Sequence, residues 1–313
     1  MNWMGKCDFG VVHPLVWVEC RGGDGPVVET LRRIIEDSEF GAVEIAPPND
    51  PAVRQAAREL LASSGLQVVY LPILPLIVQK LPFADADPAA RAAVLERMKM
   101  HIVEAVEFGA PLAMIASQLD PGEGQREAAT DRLVEDIRVL CDLAMARSEK
   151  HLLHITLENF DRDIEKKRLI GSTPEAVELA QRVDRPNFGL TIDLSHLPLL
   201  NETPEDSLTT AAPYLIHAHI GNCVIDHPES PIYGDFHPRF GHPQGSNDVL
   251  EVVRYLNGLE QVDFYDRARA KLGTMPILSM ELRTNASEND TPASILANGK
   301  RTFKRAWAAV YQG

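Results

Sequence analysis

Short apolar runs alternate with helical patterns eight times along this 313-residue chain, and that alternation leaves few folds open. Parallel strands need long crossovers, and a helix is the usual crossover. The runs are Phe9–His13, Ala42–Ala46, Leu66–Leu71, Leu112–Ala116, His151–Glu158, Gly189–Asp193, Leu215–Ile220 and Ile277–Leu282. Apolar residues recur at helical spacing between them: Val94, Met98, Ile102 and Ala105 within 88–108, and Leu133, Ile137, Leu140 and Ala144 within 125–149. Further helices are expected over about 26–39, 51–64, 173–183, from about 247, and over 291–311. Asp50-Pro51, Thr173-Pro174, Thr203-Pro204 and Thr291-Pro292 each read as a helix start, a capping side chain followed by proline. A Pro-rich connection is expected over 72–90 and a polar loop over 221–246.

Eight such units with no break in composition predict an α/β chain folded as a single (β/α)8 TIM barrel, one domain over residues 1–313. A doubly wound sheet is the alternative, but the first strand–turn lacks the glycine fingerprint of a dinucleotide site. The net charge of −14 argues against nucleic acid or an anionic membrane as partner, because phosphate binding is driven by clustered Lys and Arg. The four cysteines, Cys7, Cys20, Cys141 and Cys223, form no C-x-x-C pair, which fits a reduced compartment. The first residues show no basic-then-apolar leader, and the most apolar stretch, 68–78, is broken by Pro72 and Pro75. A cytoplasmic location is therefore expected.

Catalytic groups of such barrels sit at the C-terminal ends of the strands. Run five ends in Glu158, run six in Asp193 with His196 three residues on, run seven holds His217 and His219, and run eight holds Glu281. Side chains alternate along a strand. Leu190 and Ile192 would face the outer helices, which turns Asp193 inward; the same parity groups His154 with Glu158, His217 with His219, and Ser279 with Glu281. Glu158, Asp193, His219 and Glu281 thus converge from four consecutive strands. Three carboxylates and one imidazole repel or disorder unless a cation sits among them. Oxygen-rich ligation with one nitrogen favours Mn²⁺ or Mg²⁺, or Co²⁺, over a thiolate-type zinc site. His217 has a second reading, as a hydrogen-bonded histidine deeper in the strand, and His154 is open in the same way.

Leu157-Glu158-Asn159, Gly189-Leu-Thr-Ile-Asp193-x-x-His196, Ala218-His219-Ile-Gly-Asn222 and Met280-Glu281 resemble the xylose isomerase-like barrel family, the sugar isomerase and epimerase group, over nearly the whole chain. The resemblance implies that Glu158, Asp193, His219 and Glu281 bind one divalent metal ion, that Glu158 and Glu281 serve as acid and base, and that His196 contacts substrate oxygens. The expected activity is isomerase or epimerase chemistry on a keto-sugar. A proton next to a carbonyl is removed and the metal stabilises the enediolate that results. His237 and Arg239, on the long loop, are expected to grip substrate oxygens, with His154 a further substrate contact. The family is often dimeric or tetrameric, so a homo-oligomer is expected. Phe160 stands where many members have histidine, and Tyr70-Leu-Pro72 where many place a histidine near the third strand's end.

The loop Ile232-Tyr-Gly-Asp235-Phe-His237-Pro-Arg239-Phe-Gly241 and the terminal Lys300-Arg301…Trp307 pattern are similar to the α subunits of C-glycoside deglycosidases. That likeness implies a carbon–carbon lyase alternative: β-elimination from a 3-oxo-glycoside, working with a small second subunit. Apurinic-site endonucleases share the barrel and use three zinc ions; Asp235-x-His237 fits their D-x-H pair. No histidine stands at the ends of strands three and four to complete that set, and the charge opposes DNA.

Overall fold

β1 (Asp8–Val12), β2 (Ala42–Ile45), β3 (Gln67–Tyr70), β4 (Leu112–Ala116), β5 (His154–Glu158), β6 (Phe188–Asp193), β7 (Leu215–Gly221) and β8 (Ile277–Glu281) form a closed barrel in the computed structural model, which describes residues 3–311. Every neighbouring pair is parallel, and β1 closes the ring on β8. The expected (β/α)8 barrel is the observed one.

Alternation sorts the strand residues into two cores. Val12, Ala42, Val69, Leu112, Met114 and Ile277 turn inward and plug the barrel below its mouth. Phe9, Val43, Tyr70, Ile155, Leu190, Ile192 and Met280 turn outward and pack under the helices. Each fully buried Leu, Ile or Phe stabilises by about 1.5–3 kcal/mol, so the outward layer supplies much of the fold's driving force. The inward positions near the mouth are thereby released for polar groups.

The main outer helices are Val27–Ile35, Pro51–Ala62, Pro88–Glu107, Arg126–Arg147, Thr173–Val183, Pro204–Ala211, Val249–Gln261 and Pro292–Tyr311. Asp50 caps its helix by accepting from the Ala52 and Val53 amides, and Thr203 accepts from the Asp206 amide. At the fifth of them the cap is Ser172 and not Thr173: Ser172 and Glu175 form a capping box. The Thr173 hydroxyl is instead taken by Glu202 and Ser207.

Besides the short turns His13–Val16 and Leu197–Leu200, two helices depart from the sequence expectation. The Pro-rich connection contains Ile73–Val78, because Pro72 lies at its N-cap and Pro75 within its first turn, where a missing N–H breaks no helical bond. A further helix, Phe264–Leu272, precedes β8; Gly273 ends it at φ +71°, donating to the Arg269 carbonyl.

The β6–β7 seam carries one irregularity. Leu190 pairs with Leu215, but Thr191 pairs with His217, so Ile216 is an extra residue in β7. Such a bulge resets which way the following side chains point. Ile216 joins the inner plug, and His217 then shares the inward face with Thr191. Gly189 makes this possible: a Cβ there would stand 2.5 Å from Ile216 Cδ1 and 2.8 Å from the Tyr214 carbonyl oxygen. No helix among the described residues is long and apolar enough to cross a membrane.

Candidate functional site

The C-terminal ends of β5 to β8 bring Glu158, Asp193, His219 and Glu281 together, with one donor atom from each lying within 4.8 Å of all the others. Strand register explains it. Asp193 sits beside His219, and Glu281 beside Gly221, two residues beyond His219. His219 Nδ1 is 2.6 Å from Glu281 Oε2 and 3.2 Å from Glu158 Oε1. Glu281 is the most open of the four at 8% exposure, against 2% or less for the others, so the approach to the cluster runs past it.

Second contacts hold these groups in place. Asp193 accepts from the Ser195 amide at 2.8 Å and from the Ser195 hydroxyl. His196 Nδ1 donates to the Asn159 carbonyl at 2.9 Å, which turns its Nε2 towards Asp235 Oδ2 at 3.2 Å and Asp193 Oδ2 at 3.6 Å. The Phe160 ring packs on the His196 ring, with centroids 4.4 Å apart. The long loop after β7 folds over the cluster. His237, held at φ +54°, places Nε2 3.1 Å from Asp235 Oδ1 and 3.4 Å from Glu281 Oε1. Lys166, from the loop after β5, puts Nζ 3.1 Å from Asp235 Oδ2.

The charges are strongly interdependent. Burial, then the Glu281 charge, push Glu158 above the usual carboxylate range. Burial would also raise Glu281, but His237 and His219 outweigh it and hold Glu281 low. Burial lowers His196 and His219, yet Asp235 and Asp193 around the first, and Glu44, Glu281 and Glu158 around the second, hold both well above the ordinary histidine value. Asp235 is kept well below its range despite burial, by His237, Lys166 and His196. The carboxylates thus draw positive charge to one point, the place a divalent ion would occupy.

The donor set fits such an ion. Ligands about 2.1 Å from an octahedral ion stand up to about 4.2 Å apart, close to the observed spread. Two other groups of three also gather within 4.8 Å: Asp193, His196 and His237 above, and Glu44, His217 and His219 below.

Of the expected substrate contacts, His196 and His237 reach the cluster. His154 does not: it opens β5, four residues and about 13 Å along the strand from Glu158, and bonds the Leu152 carbonyl at 3.0 Å. Arg239 also departs from expectation. It is partly exposed, with Nε 3.7 Å from Asp290, because the loop turns between His237 and Gly241. His217 takes the deeper, hydrogen-bonded place. Glu44 and Lys166 carry no motif, and both stand against the site; strand alternation applied to β2 is the signal that finds Glu44.

The family sequence model described as xylose isomerase-like TIM barrel matches residues 32–257, and the chain belongs to that family. No curated protein sequence matches it significantly. Among solved structures it is similar to a D-tagatose 3-epimerase-like protein, at 17% identity and TM-score 0.72, covering 97% of this chain and 98% of that one. A 3-keto-D-glucoside 4-epimerase from E. coli is 14% identical with TM-score 0.64, covering 98% of this chain and 100% of that one. A family 2 AP endonuclease from Brucella melitensis is 18% identical with TM-score 0.67, covering 97% and 99%.

Proposed function

We propose that this chain is a divalent-metal-dependent sugar isomerase or epimerase acting on a keto-sugar. The observation that carries the reading is the convergence of Glu158, Asp193, His219 and Glu281 at four consecutive strand ends. These residues would hold the ion, Mn²⁺ by preference, with Mg²⁺ or Co²⁺ also suited to the donor set. When bound, the ion supplies Lewis-acid polarisation of a carbonyl and takes up developing negative charge.

The protein's own groups do the rest. One of Glu158 and Glu281 removes the proton beside the carbonyl. The other returns a proton, to the opposite face in an epimerase or to the neighbouring carbon in an isomerase. His196, fixed by the Asn159 carbonyl and Phe160, points Nε2 into the mouth and is suited to hold a substrate oxygen. His237 presents a second ring beside Glu281. Asp235 links Lys166 and His237 beside the cluster and holds the His237 ring there.

The lyase reading shares the first proton abstraction and rests on the same long loop. A nuclease reading is opposed by Tyr70, Leu71, Ala116 and Ser117 at the ends of β3 and β4, none of which is a zinc ligand at neutral pH, and by the charge of −14.

Incubation with ketohexoses in D₂O, and with 3-oxo-glucosides, separates these readings. Solvent deuterium in recovered sugar supports the isomerase or epimerase; release of a free aglycone selects the lyase. Metal analysis of protein purified without chelator is the prior test, and a chain neither binding nor activated by a divalent ion would refute the mechanism.

A further inference from the structure

Glu44 sits on β2, fully buried, and reaches across the barrel to β7. Its Oε1 lies 2.8 Å from His217 Nε2 and 3.0 Å from His219 Nε2, and the two Nε2 atoms are 2.9 Å apart. A carboxylate at this depth needs donors, since an unpaired buried charge is strongly destabilising. His219 supplies one, and the hydrogen positions follow from what each partner can do.

His217 Nδ1 is 3.2 Å from the Ile277 carbonyl oxygen, which can only accept, so Nδ1 of His217 carries a hydrogen. At His219 the Nε2 edge faces Glu44 Oε1, an acceptor only, so that nitrogen carries a hydrogen as well. A bound ion would displace the second proton of the ring, and with a hydrogen held on Nε2 the lone pair is then on Nδ1. Nδ1 is the atom 2.6 Å from Glu281 and 3.2 Å from Glu158, facing the candidate metal centre.

We propose that Glu44 is a positioning residue: it fixes the tautomer and ring orientation of His219, with His217 as a second support, so that Nδ1 is the nitrogen presented to the divalent ion. This rests on the metal reading above. The bond comes from another strand, so it fixes the ring independently of the local course of β7. Partners behind metal-bound histidines typically set affinity by 10–100-fold.

The test is calorimetric titration of Co²⁺ into metal-free wild type and Glu44→Leu, which removes the acceptor at similar volume, with circular dichroism and urea midpoints recorded on both. The expected result is a dissociation constant raised about 10–100-fold in a folded variant. A merely structural role would move the midpoint and leave the constant alone; a folded variant within about twofold of wild type overturns the proposal.

A second measurement needs no variant. Long-range ¹H–¹⁵N spectra of the Zn²⁺-loaded wild type report which ring nitrogen of His219 is metallated. Nδ1 bound with Nε2 protonated supports the proposal, and Nε2 bound overturns it. Wild type that takes up no Co²⁺ refutes the metal reading itself, whereas an unaltered Glu44→Leu constant refutes the role of Glu44 alone.

Discussion

Acid should unlock the fold at His13, and the size of the effect follows from its surroundings. His13 is 1% exposed just after β1, where its Nε2 is 2.7 Å from the Thr30 hydroxyl and its ring packs on Trp17. Thr30 donates its own hydrogen to the Pro26 carbonyl, so His13 donates to Thr30 and needs no charge to do so. Burial pushes its pKa down to about 3. In the unfolded chain an ordinary histidine titrates near about 6.5. Below that value the unfolded state gains a proton that the folded state refuses. The stability contributed by neutral His13 is therefore complete above pH 6.5 and is lost progressively as the pH falls from there towards 3. Between pH 7 and pH 5 this removes about 2 kcal/mol.

Urea unfolding followed by circular dichroism at the two pH values, on wild type and His13→Gln, isolates the effect. Glutamine keeps a donor for Thr30 but cannot titrate, and the other ionisable groups are shared by both proteins. Wild type should lose about 2 kcal/mol more than the variant between pH 7 and pH 5. Equal pH dependence in the two would refute the reasoning, for it would mean that folded His13 accepts a proton freely.

Other outcomes follow from the site and the barrel. Glu281→Gln should reduce turnover by about 10²–10⁴-fold with an unchanged dichroism spectrum; near-wild-type rates would contradict its acid–base role. Chelator-treated protein should gain about 2.7 kcal/mol when Mn²⁺ is restored at a hundredfold excess over its dissociation constant, read as a shift in the urea midpoint, and no shift would count against the candidate centre. Gly189→Ala should cost about 1–3 kcal/mol through its clash with Ile216 and the Tyr214 carbonyl, and should weaken metal binding by disturbing the bulge; an unaltered midpoint would contradict the close packing described.

The barrel was legible in the chain because two periods repeat: apolar runs with alternating parity and helices with apolar stripes. Glu158 and Asp193 could be placed because each closes its run, and Glu281 because it stands one residue from the end of its run, where alternation settles its side. His154 obeys the same parity, yet position along the strand outweighs parity, and it lies at the other end of β5. The β7 bulge has no local signature. It arises because Gly189, on the neighbouring strand, leaves room for Ile216, a relation between residues 27 apart in sequence. Lys166 is similarly silent: one lysine in a charged loop becomes part of the site through contact with Asp235, 69 residues away. Arg239 shows the opposite failure, a residue of suitable chemistry whose loop turns it towards Asp290.

The four donors all come from β5 to β8, and the first half of the barrel contributes Glu44 behind them. The chemistry and its alignment are thus divided between two half-barrels joined through the exposed segment after Arg147. A chain opened there would keep a complete ligand set on one fragment and the brace for its histidine on the other. Ion affinity then becomes a gauge of how faithfully the halves reassemble, sensitive to sub-ångström misalignment that a folding probe averaged over the whole molecule would miss.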